Sequence, residues 1–129
     1  MNDALRILYV DDDEDIRTIV AMALSLDPAI DVRAAGSAAA ALRLVDADPW
    51  QPDVIILDVM MPDMDGITLL AALRLRPRLA STPAMFMTAR GHDSGSDRPK
   101  IDGVAGVILK PFDPIELAGT VRRLVARSS

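Results

Sequence analysis

The chain has 129 residues, half of them apolar and a quarter charged, which is the composition of one folded domain rather than of a disordered segment. The absence of cysteine excludes disulfides, thiolate zinc sites and cysteine nucleophiles, and suits a reducing cytoplasm. A formal charge of −5 offers little attraction to a polyanion, so direct nucleic-acid binding by these residues is not expected. No apolar run is long enough to span a bilayer, and Met1–Arg6 lacks the basic start and apolar stretch of a signal peptide.

Short apolar runs with the character of buried strands recur along the chain: Arg6–Val10, a weaker Asp31–Ala34, Asp53–Leu57, Ala84–Met87 and Gly106–Leu109. Helical patterns separate them. Ile16, Ile19, Val20, Ala23 and Leu24 share one face of a first helix that ends near Asp27 and Pro28. Ser37 is placed to cap a second, alanine-rich helix that buries Ala41, Leu42 and Val45 and stops before Pro49. A third helix starts around Gly66, with Ile67, Leu70 and Leu73 facing inward, and ends before Pro77.

Between Ala89 and Val104 the residues Gly91, Ser94, Gly95, Ser96, Pro99 and Gly103 all oppose a helix interior, so a loop with at most a short, degraded or flexible fourth helix is expected there. The last helix is signalled by Asp113 as N-cap, Pro114 at the first helical position and Glu116 completing a capping box, with Leu117, Val121, Leu124 and Val125 as its buried stripe. Five strand and helix alternations predict one α/β domain over residues 1–129, a doubly wound parallel sheet covered on both faces.

Polar sites of such sheets gather at the carboxyl ends of the strands. Strand one ends in Asp11, Asp12 and Asp13, strand three in Asp58, strand four in Thr88, and strand five in Lys110 and Pro111. Carboxylates that converge on one edge must hold protons or share a cation, and a hard divalent ion with oxygen ligands, Mg2+ or Mn2+, answers that need. Asp58 then reads as a carboxylate nucleophile of the aspartyl-phosphate type. Lys110 would hold a phosphoryl oxygen as a point charge and Thr88 would donate a hydroxyl hydrogen bond to another. Asp13, Glu14 and Asp15 read as solvated residues that favour a helix start, and His92, the single histidine, as a solvated loop residue.

The ordered set Ile7 to Asp12, Asp53 to Gly66, Met87-Thr88-Ala89 and Lys110-Pro111-Phe112 resembles the receiver domains of two-component response regulators, including the single-domain chemotaxis regulators. The resemblance covers essentially the whole chain. It implies a flavodoxin-like five-stranded sheet in the order 2-1-3-4-5, Asp58 as phosphoacceptor, Asp12 as a direct metal ligand, Asp11 as a ligand through water, and the Met60 carbonyl as the remaining protein ligand. It also implies a cis Lys110–Pro111 bond, a histidine kinase or histidine phosphotransfer protein as donor, an effector protein downstream, and a switch rather than a turnover enzyme. The cysteine-free composition without a spanning run or signal peptide adds the expectation of a cytoplasmic location. In two places the chain departs from the family pattern: Val107 stands where many receivers carry a swinging aromatic, and the glycine- and serine-rich stretch stands where a regular fourth helix is normal.

Two other classes compete with this reading. A metal-dependent phosphatase that works through an aspartyl-phosphate usually places a second acid two residues after the nucleophile, and Met60 occupies that position. A constitutive partner-binding relative would not need the complete set of Asp11, Asp12, Asp58, Thr88 and Lys110.

Overall fold

The computed structural model describes residues 4–47, 50–59, 61–62, 64–89, 104–110 and 112–128, with the backbone alone for residues 88, 89, 104, 105, 109, 110, 127 and 128. The expected loop over Gly91–Gly103, His92, the Met60 carbonyl and the Lys110–Pro111 bond lie outside the described residues. Five strands, β1 (Leu5–Val10), β2 (Ile30–Ala35), β3 (Val54–Asp58), β4 (Ala84–Ala89) and β5 (Val104–Lys110), form one parallel sheet in the order β2-β1-β3-β4-β5. The helices are α1 (Glu14–Ser25), α2 (Ala38–Ala47), α3 (Gly66–Arg74) and α4 (Leu117–Ser128), with a 3-10 turn at Pro77–Leu79. No described helix is long and apolar enough to cross a membrane.

Strand alternation divides the core in two. Ile7, Tyr9, Val54, Ile56, Met85 and Met87 face a layer completed by Val20 and Leu24 of α1 and Leu117 and Val121 of α4. Leu8, Val10, Ile55, Leu57 and Phe86 face the opposite layer with Ala41 and Val45 of α2 and Leu69, Leu70 and Leu73 of α3. All five residues of β3 are buried, and each large apolar side chain there contributes about 1.5–3 kcal/mol relative to exposure. A central strand buried on both faces is why β3 is a continuous apolar run and why its terminal Asp58 is conspicuous.

Local signals place the helix starts. The Asp13 carboxylate accepts from the backbone N–H groups of Asp15 (2.9 Å) and Ile16 (3.1 Å) and starts α1. Ser37 Oγ accepts from Ala40 N–H at 3.1 Å ahead of α2, and Asp65 accepts from Thr68 N–H at 2.7 Å ahead of α3. Gly106 of β5 leaves room for α4, because a Cβ there would stand 2.9 Å from a Leu124 methyl carbon.

Two sequence expectations require correction. Ile67 is 39% exposed, and the inward residues of α3 are Gly66, Leu69, Leu70 and Leu73. The spacing of Ile67, Leu70 and Leu73 has the helical period, but the helix is rotated so that Gly66 faces the sheet and Ile67 is turned to the edge of the buried face. The last helix starts at Leu117, later than the capping box implied. Asp113 Oδ1 instead accepts from Ile115 N–H at 2.9 Å and its carbonyl accepts from Glu116 N–H at 3.1 Å, which makes 113–116 a turn that delivers the chain into α4.

Candidate functional site

β1 and β3 are adjacent and parallel, with Val10 opposite Leu57, so the residues that follow Val10 stand beside Asp58. Asp11, Asp12 and Asp58 each present a carboxylate oxygen within 4.8 Å of the others. Asp11 is fully buried, Asp58 is 7% exposed, and Asp12 faces solvent. Three like charges this close, two of them removed from water, favour a shared cation, and the oxygen donor set suits a metal ion.

The backbone around these acids is braced from several sides. Asp11 N–H donates to the Ala35 carbonyl at 3.1 Å, and Arg17 Nη1 donates to the Asp11 carbonyl at 2.9 Å. Asp11 Oδ1 accepts from Asp13 N–H at 3.0 Å, and Oδ2 accepts from the Tyr9 hydroxyl at 2.5 Å. Burial, the bond to Asp11 and the negative charges of Asp11, Asp58 and Asp13 push the Tyr9 hydroxyl far above the ordinary tyrosine range, so it stays a donor. On the other flank, Gly66 N–H donates to the Val59 carbonyl at 2.9 Å and Val59 N–H donates to the Met87 carbonyl at 3.3 Å.

The structure therefore brings together Asp11, Asp12 and Asp58. Thr88 and Lys110 are found at the same carboxyl edge by backbone register: Asp58 pairs with Met87, Thr88 pairs with Leu109, and Ala89 pairs with Lys110. The side chains of Thr88 and Lys110, with Met60, lie outside the described residues. Sequence reasoning missed Tyr9 and Gly66. A tyrosine inside a buried apolar run was the available signal for the first, since its hydroxyl needs a partner; a glycine at a helix start gives no such cue.

Residues 7–122 match the profile of the response regulator receiver domain. The chain belongs to that family. It is 38% identical over 127 residues to the transcriptional regulatory protein TrcR of Mycobacterium tuberculosis, a match that covers 97% of this chain and 47% of TrcR. To the response regulator Rre1 of Synechocystis it is 35% identical over 127 residues, covering 98% of this chain and 54% of Rre1. The chain thus spans about half the length of these curated relatives. Among solved structures, the chemotaxis response regulator CheY4 of Vibrio cholerae superimposes with a TM-score of 0.78 at 32% identity, covering 94% of this chain and 98% of CheY4.

This receiver domain has the sheet order and helix alternation expected from its sequence, and it is a phosphoacceptor module of two-component signalling. Several relatives are transcriptional regulators, so the charge argument against nucleic-acid binding concerns these 129 residues alone.

Proposed function

We propose that this receiver domain takes a phosphoryl group onto Asp58 from a phosphohistidine donor, a histidine kinase or histidine phosphotransfer protein, in a Mg2+-dependent reaction. The observation that carries the reading is the Asp58 carboxylate, buried at the end of β3 with oxygens of Asp11 and Asp12 within 4.8 Å. A carboxylate oxygen of Asp58 attacks the phosphorus, the P–N bond of the donor breaks, and its electron pair returns to the imidazole nitrogen, leaving an acyl phosphate on Asp58.

Asp12, the exposed acid, serves as a direct metal ligand, Asp58 as a second, Asp11 as a ligand through water, and the Met60 carbonyl as the backbone donor. When bound, Mg2+ or Mn2+ neutralises the acids and the charge on the phosphoryl oxygens. Thr88 donates its hydroxyl to one phosphoryl oxygen and Lys110 faces another as a point charge, roles supported by their places at the ends of β4 and β5. With Met60 in the place of a second acid, the domain works as a cytoplasmic switch on its own acyl phosphate rather than on external esters. Phosphorylation changes a partner-binding surface. Val107, partly buried against the α2 and α3 layer, is too short to relay that change by an aromatic swing.

Intact mass after incubation with Mg2+ and a small phosphodonor tests the proposal. One added phosphoryl group is expected on the wild-type chain and none on Asp58→Asn. Equal incorporation into the variant overturns the assignment.

A further inference from the structure

Among the described residues, the phosphoryl chemistry leaves one buried polar group at the site unused. Tyr9 is fully buried and lies on the same face of β1 as Ile7, in the layer shared with α1 and α4. Asp11 continues that alternation two residues on, which brings the Tyr9 hydroxyl 2.5 Å from Asp11 Oδ2. A carboxylate accepts, so the hydroxyl donates. The Asp13 N–H holds the other oxygen, Oδ1, at 3.0 Å, and two donors on two different oxygens fix the plane of the carboxylate. The same hydroxyl lies 3.7 Å from the Met87 sulfur. Met87 is the register partner of Asp58, and its carbonyl accepts from Val59 N–H. A single hydroxyl thus touches the buried acid after β1 and the β4 residue beside Asp58.

We propose that Tyr9 is a positioning residue of the metal site, whose hydroxyl holds the Asp11 carboxylate in the orientation that meets the water of the cation and links that orientation to β4. The inference rests on the metal reading under Proposed function and adds to it a group that never touches the ion. Partners behind the groups that hold a metal orient them and raise affinity, and their loss typically weakens binding about 10- to 100-fold. Phenylalanine at position 9 would fill the same space and withdraw one donor from a carboxylate that is out of reach of bulk water.

Equilibrium titration of the whole chain with Mg2+ is the test, with the wild type, Tyr9→Phe and Asp12→Ala compared at one pH. Tyr9→Phe is expected to bind about tenfold more weakly while its circular dichroism stays that of the wild type. A second measurement needs no variant. Tyr9 is the single tyrosine, so the Cζ resonance of tyrosine-labelled protein reports the hydrogen bond of this one hydroxyl, and it is expected to move with Mg2+ along the same saturation curve. A tyrosine that only fills the core would leave both the Kd and the resonance unchanged. If the wild type shows no saturable Mg2+ response, the metal reading falls and this inference with it. Saturable binding that is lost in Asp12→Ala but has the same Kd in Tyr9→Phe, or that leaves the Cζ resonance still, overturns the role of Tyr9 alone.

Discussion

A Cβ on residue 66 would stand 2.4 Å from the carbonyl oxygen of Asp58 and 3.1 Å from its carbonyl carbon. Gly66 is the first residue of α3, so the helix start is seated directly on the backbone that carries the Asp58 carboxylate. Gly66→Ala must separate the two, because the opposing atoms are main chain and cannot rotate aside. The expected cost is about 1–3 kcal/mol in urea unfolding. Phosphoryl incorporation should slow by up to about a hundredfold, as a small misplacement of a reacting group can do. A variant that keeps both wild-type values would show that the segment between Val59 and Gly66 yields without moving Asp58.

The three clustered carboxylates predict that metal binding and charge removal each relieve the same repulsion. Mg2+ should raise the melting temperature of the wild type, since a ligand that binds only the folded state stabilises it by about 2.7 kcal/mol at a hundred times its Kd. Without metal, Asp12→Ala should be more stable than the wild type by about 1 kcal/mol, the repulsion of close unit charges in water-rich surroundings. The same variant should lose most of the Mg2+ response. Thermal melts with and without Mg2+ check both signs, and a full metal response in Asp12→Ala removes that residue from the site.

Acid should loosen the packing of the helices through two ion pairs. Arg122 Nε, 2.7 Å from Asp27 Oδ2, ties α4 to the end of α1 and holds the Asp27 carboxyl below its ordinary range, helped by the Ala29 N–H. Arg76 does the same for Asp46, with Nε at 2.7 Å and Nη2 at 2.6 Å. A carboxyl depressed in the folded state adds stability that is fully present above its unfolded value of about 4 and is lost as pH falls through its lower folded value. The double variant Asp27→Asn/Asp46→Asn should therefore lose less melting temperature than the wild type between about pH 4 and pH 2. Parallel acid limbs for the two proteins would assign the acid sensitivity to other carboxylates.

Trp50 offers a change that separates fold from site. Its ring is buried ahead of β3, with Nε1 donating to Asp31 Oδ2 at 3.0 Å and the Arg33 guanidinium 4.6 Å from the ring centre. Trp50→Phe removes the hydrogen bond and weakens the cation–π contact, for an expected loss of about 1–2 kcal/mol in urea unfolding. Because Trp50 lies at the amino end of β3 and Asp58 at its carboxyl end, phosphoryl incorporation should keep the wild-type rate. A slower reaction in a folded variant would mean that the two ends of β3 are coupled.

All five strands were legible in the sequence to within two residues at each end. The central β1, β3 and β4 are short apolar runs with polar residues at or after their carboxyl ends, while the edge strand β2, exposed or half-buried along its middle, carries the weaker signal at Asp31–Ala34. Ser37 before α2 was equally legible, since a cap is satisfied by atoms three residues away. The gathering of Asp11, Asp12 and Asp58 was expected from their places at the carboxyl ends of parallel strands, but their approach within 4.8 Å was decided by the parallel register of β1 and β3. Ile67 and the start of α4 were misread because a helix's rotation and its first turn answer to what the helix packs against, not to spacing alone. What Tyr9 and Gly66 each do was decided by the tertiary structure. The Tyr9 hydroxyl acquires its role where the Asp11 carboxylate and the Met87 sulfur close on it, and the missing Cβ of Gly66 where the Asp58 backbone does; a tyrosine in a buried run signals only that its hydroxyl needs some partner, not which one.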